Sequence, residues 1–235
     1  ASQYPDVSPE ISDHVKGILK KHNCSTALID NLQIKVGTCF RAQYNFSGKH
    51  IITVPKDFEE SFKGKLEVEA AIRHEAAHLE HKDLLRMGAF LVAATIGAHY
   101  FVSGITYPIS YLLQPYTPAA LAALMKLPVG LVKMMTISLS QLVFAKYKEY
   151  SADKKAAEAI KDPAVLKAMS ELGLNIYEEY ERTQKLDPKE RGTWHRFLRD
   201  EMRNPDMYHH NYLLRSQIFA DAAKKLEQDS KEVVA

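Results

Sequence analysis

Apolar and polar positions along the chain change period several times, and each change marks an element. From Ser8 to Lys21, Ile11, Val15, Ile18 and Leu19 fall on one helical face, with Ser8 placed to cap the start. Residues 32–54 then alternate. Leu32-Gln33-Ile34-Lys35-Val36 reads as a strand that Gly37 interrupts, and Cys39 to Asn45 and His50 to Val54 read as two more, with Ser47-Gly48 between them. This predicts a small antiparallel meander ended by Pro55. The helical period returns at Leu66 and predicts one uninterrupted helix to Asp83. Residues 84–148 contain no Asp or Glu, and 87–125 no Asp, Glu, Lys or Arg. Two apolar helices are predicted there, about 87–107 and 118–147, joined by a proline- and tyrosine-rich turn. Polar helices follow at about 146–161, 163–185, 189–203 and 208–229, with Pro163, Pro188 and Pro205 near their starts. The expected fold is α+β and predominantly helical: a single domain over 1–235 with a small antiparallel sheet and an apolar helical hairpin inserted at about 87–145.

Composition removes some function classes. The 31 basic and 29 acidic residues nearly cancel, and no Lys/Arg stripe with interleaved aromatics is present, which excludes nucleic acid as the expected partner. Two cysteines, Cys24 and Cys39, are too few for a disulfide framework and are expected to be free thiols in a reducing compartment. Ala1 to Glu10 is polar and carries no apolar signal-peptide core. Segment 87–107 reaches bilayer-spanning length, whereas 118–145 is interrupted by Lys126, Pro128 and Lys133. Lys82, Arg86, Lys146 and Lys148 flank the pair and would keep its ends cytoplasmic. The expectation is a soluble or peripheral, cytoplasmic or membrane-associated protein whose hairpin touches membranes or unfolded clients.

The chemistry concentrates at His74-Glu75-Ala76-Ala77-His78. Two histidines four apart on a helix share a face, so both imidazoles can reach one metal ion, and the intervening glutamate can touch a metal-activated water. A catalytic zinc needs a third protein ligand and an open position. The pattern with a third histidine would need Gly at 81 and His at 84, but His81 and Leu84 stand there. After Asp83 the first acid is Glu149, in Lys148-Glu149-Tyr150-Ser151-Ala152-Asp153. Glu149 and Asp153 share a helical face, so one can bind zinc while the other fixes the tautomer of a ligand histidine. Glu149 is the stronger candidate for the third ligand. His81 would crowd the same face and reads as a polar rim residue, and His99 as a histidine within the apolar run.

These residues together resemble the gluzincin zinc metallopeptidases that include HtpX and the CAAX prenyl endopeptidase (metallopeptidase family forty-eight). The resemblance pairs His74, Glu75 and His78 with Glu149 and Asp153 and covers about residues 40 to 216. It implies a zincin-like fold and a zinc-dependent metalloendopeptidase with one Zn2+ per chain, a protein or peptide substrate, Glu75 as general base and Glu149 as third ligand. Glu69 and Asp83 resemble the family's extended helix motif. His209 and Arg215 match the spacing of a C-terminal histidine and arginine, although His210 stands where the family has proline. The resemblance implies His209 as oxyanion donor, with His210 the rival in an adjacent register, and Arg215 either orients it or is an ordinary exposed arginine. The strand Ile51-Ile52-Thr53-Val54 resembles the family's edge strand, and these residues are the expected substrate cradle. In HtpX-like relatives the insert spans the membrane, and in soluble ones it packs as a hairpin. A different class of function, a zinc-stabilised chaperone-like or binding module with a latent or vestigial peptidase site, shares the same residues and is distinguished by hydrolysis.

Overall fold

A computed structural model describes residues 4–44, 49–113, 126–186 and 212–232. Helix α1 (Pro9–Lys21) starts as expected, its first turn capped by the Ser8 hydroxyl, which accepts from the Ile11 amide, and with Pro9 at the first helical position. A short helix α2 (Thr26–Asp30) leads into strands β1 (Leu32–Gly37), β2 (Arg41–Tyr44) and β3 (His50–Pro55). One π-helical turn at Phe58–Phe62 precedes α3 (Leu66–Glu80). Four long helices complete the described chain: α4 (Asp83–Leu113), α5 (Lys126–Ala159), α6 (Pro163–Leu186) and α7 (Tyr212–Glu232).

The sheet is mixed, not an antiparallel meander. Its order is β1-β3-β2, with β1 parallel to β3 and β2 antiparallel to β3. Alternation in β1 correctly marks a strand but says nothing about its partner. The deciding signal lies in β3, where Ile51 to Pro55 are all buried. A continuous buried run belongs between two neighbours, and it separates β1 from β2 although only three residues join them. Gly37 is required here, since a Cβ would fall 2.7 Å from the Thr53 Cβ. The Thr53 hydroxyl donates to the Cys39 carbonyl at 2.9 Å and so ties down the link into β2.

Helix α3 is built from two stripes. Val68, Ile72, Ala76 and Leu79 join a core with α1, the sheet and Phe58. Ala70 joins a second core with Ala156, Ala157, Ile160, Leu166 and Phe219 from the C-terminal helices. His74 and His78 continue the Ala70 stripe at a spacing of four, so the metal motif occupies the polar end of a packing face. The expected helix from Leu66 to Asp83 breaks. Lys82 adopts a left-handed φ of 53°, the His81 and Lys82 amides close the end of α3 on the Ala77 and Leu79 carbonyls, and Asp83 begins α4.

The contacts divide the chain into a body, residues 1–83 and 147–235, and a hairpin, residues 84–146. Within the hairpin Phe90 stacks on Phe144 with centroids 4.6 Å apart, and the Lys133 ammonium donates to the Ser103 hydroxyl at 3.1 Å beside His99. Most large apolar side chains described there stay exposed, among them Val92, Tyr100, Phe101, Met134 and Leu139. Among the described residues, Leu85–Ile105 is long and apolar enough to cross a membrane. The helices expected at 118–147 and 146–161 meet in α5, and those at 189–203 and the start of 208–229 lie outside the described residues.

Candidate metal centre

Helices α3 and α5 bring the predicted residues together. The order of facing side chains reverses along them, His74 beside Asp153 and His78 beside Glu149, so the helices run antiparallel and a four-residue step on one meets a four-residue step on the other. The His74 and His78 Nε2 atoms stand 3.1 Å apart. His74 Nε2 lies 3.3 Å from Glu149 Oε2, and His78 Nε2 lies 3.5 Å from Glu149 Oε1. Ligands about 2.0–2.1 Å from a tetrahedral zinc lie about 3.3 Å from one another, so the three side chains could hold that ion without rearrangement. His74 and Glu149 are buried and His78 is nearly so, and two imidazoles plus one carboxylate is a donor set suited to zinc.

The outer nitrogens are also engaged. His74 Nδ1 lies 2.7 Å from Asp153 Oδ1, and His78 Nδ1 lies 2.7 Å from Asp83 Oδ2. Arg215, on α7, donates through Nε to the other Asp153 oxygen at 2.9 Å and approaches Glu149 at 3.6 Å. Gly173 in α6 packs closely on α7, where a Cβ would meet the Tyr212 carbonyl oxygen at 3.1 Å. Glu75, between the two histidines, accepts a hydrogen bond from the Ala42 amide of β2 at 2.5 Å, which fixes its carboxylate beside the sheet.

Acids dominate the electrostatics. Burial opposes protonation of His74, but Asp153 and Glu149 outweigh it and push its pKa up to about 10. Burial also opposes the charged form of His78, and Asp83 and Glu149 raise its pKa despite that. Burial works against the Asp153 carboxylate, yet His74 and Arg215 hold it below the usual range. A pocket that favours cationic imidazoles this strongly favours a divalent cation for the same reason.

One expectation needs correction. Ile51, Ile52, Thr53 and Val54 belong to the central strand, buried and paired on both sides, so they have no free backbone edge to offer; the outer strand beside Glu75 is β2. Arg215 is nearly buried, and its partner among the described residues is the Asp153–Glu149 pair. His209 and His210 lie outside the described residues. His81, expected at the rim, lies 3.3 Å from the Ser151 hydroxyl through Nδ1. Sequence reasoning also passed over the Ala42 amide and the Asp83 contact; the former carries no side-chain signal, and the latter was hidden by the helix assumed to run through residue 83.

A family model described as peptidase family M48 matches residues 24–205. Neither the curated proteins nor the solved structures contain a significant match.

Proposed function

The chain belongs to peptidase family M48, whose membership indicates a metallopeptidase acting on protein or peptide substrates, and on that premise we propose a zinc-dependent endopeptidase with Glu75 as general base. The observation that carries this reading is the convergence of His74, His78 and Glu149 to within 3.1–3.5 Å of one another, with Glu75 adjacent in sequence and anchored to an outer strand. In this reading His74, His78 and Glu149 hold one zinc per chain. Bound there, zinc lowers the pKa of a water molecule toward neutrality and polarises the scissile carbonyl. Glu75 accepts the proton of the attacking water and passes it to the leaving amine. Asp153 keeps His74 in the tautomer that points Nε2 inward, and Arg215 holds Asp153 in place. His209 is the proposed oxyanion donor. Strand β2 replaces β3 as the proposed substrate cradle, because it lies at the sheet edge beside Glu75. The exposed apolar hairpin is the proposed membrane contact.

Glu75→Gln tests the mechanism. The variant is expected to bind zinc as wild type does and to lose about 10²–10⁴-fold in the rate of casein cleavage. Full activity in that variant, with contaminating proteases excluded, overturns the proposal. Zinc binding by a wild type that cleaves nothing turns the reading to the binding module.

A further inference from the structure

Asp83 has no role in the reading above, yet its placement is specific. On an uninterrupted helix, residue 83 would sit about 140° around the axis from residue 78 and point away from it. The left-handed backbone at Lys82 ends α3 and brings the Asp83 carboxylate to 2.7 Å from His78 Nδ1. That carboxylate is buried, and among the described residues no lysine or arginine pairs with it.

We propose that Asp83 is the positioning residue for His78: it holds Nδ1–H, points Nε2 toward His74 and Glu149, and sets how tightly the site grips zinc. The proposal rests on the zinc reading. It places one aspartate 2.7 Å from Nδ1 of each histidine, Asp153 from α5 and Asp83 from the first residue of α4. The brace at Asp83 is one that the E-x-x-x-D spacing does not contain.

The test measures zinc affinity on the full chain by competition with a chromophoric chelator. Asp83→Ser keeps a helix-starting side chain but is too short to reach His78, and Asp83→Asn keeps an acceptor without the charge. Wild type is expected to bind one zinc, Asp83→Ser to bind about 10–100-fold more weakly, and Asp83→Asn to fall between them. A second measurement uses wild type alone: in the zinc-loaded protein, ¹⁵N-labelled histidine spectra should show a slowly exchanging proton on His78 Nδ1. Zinc affinity in Asp83→Ser within twofold of wild type overturns the proposal and leaves the metallopeptidase reading intact, as does a rapidly exchanging His78 Nδ1 proton. Failure of wild type itself to bind zinc overturns both.

Discussion

Helix α3 carries two polar clusters on opposite sides, and they are balanced differently. On the side facing α1, Glu69 pairs with Lys21 at 2.7 Å and His22 at 2.9 Å, Glu80 pairs with Arg73 and Lys155 at 3.0 Å each, and Asp162 approaches Lys21 at 3.6 Å. Three acids thus meet three fixed cations there. On the other side, Glu75, Asp83, Glu149 and Asp153 surround the two histidines, and among the described residues Arg215 and the more distant Lys148 oppose them. The first cluster is complete in itself and serves the fold. The second gathers four carboxylates around two imidazoles, a concentration of acid that suits a divalent cation. Burial alone does not separate a structural network from a ligand-binding one; the charge left unanswered does.

This contrast can be broken at several points. Arg73→Met removes the buried cation of the balanced side and is expected to destabilise the protein by about 3–5 kcal/mol in urea unfolding, while the folded fraction retains its zinc affinity. Similar losses of stability and zinc affinity would mean that the two sides are one network. Zinc should act in the opposite sense: at about 1,000 times its dissociation constant it should add about 4 kcal/mol, seen as a rise in melting temperature that a chelator reverses. Gly173→Ala presses a methyl group against the α7 backbone and should cost about 1–3 kcal/mol, with a fall in hydrolysis larger than the stability loss explains, because Arg215 moves with α7.

A pH profile tests the same contrast. The raised pKa of His74 stabilises the metal-free fold below the unfolded value of 6.5, and that contribution is lost as pH climbs through about 10. Glu80, where burial is outweighed by Lys155 and Arg73, and Glu69, where it is outweighed by Lys21 and His22, have lowered pKa values. They contribute stability above 4.5 that is lost as pH falls. Melting temperatures across pH should therefore drop on both limbs in metal-free protein, with zinc flattening the alkaline limb and leaving the acid limb in place.

Local periodicity made much of this legible. The Ser8 cap, the His74–His78 spacing, the Glu149–Asp153 spacing and the helix beginning at Pro163 are all short-range features, and each appears where the pattern puts it. What stayed hidden is long-range or depends on one backbone angle. Nothing near Leu32 states that β1 will pair with β3, although the unbroken apolar run of β3 marks it as a central strand. Lys at a left-handed position gives no warning of a helix end, whereas glycine or asparagine there would have. Missing that break concealed the Asp83 contact, and the partner of Arg215 could not be read until α7 was set against α5.

Among the described residues strand β2 spans four, Arg41–Tyr44. The net worth of each main-chain hydrogen bond is about 0.5–1.5 kcal/mol, so a guest chain laid along so brief a ledge gains a few kcal/mol, while a folded domain is held by about 5–15. Such a ledge can align a slack segment but cannot pry one out of a folded neighbour. On the proposal that β2 cradles the substrate, the expected substrate is a segment that has already come loose.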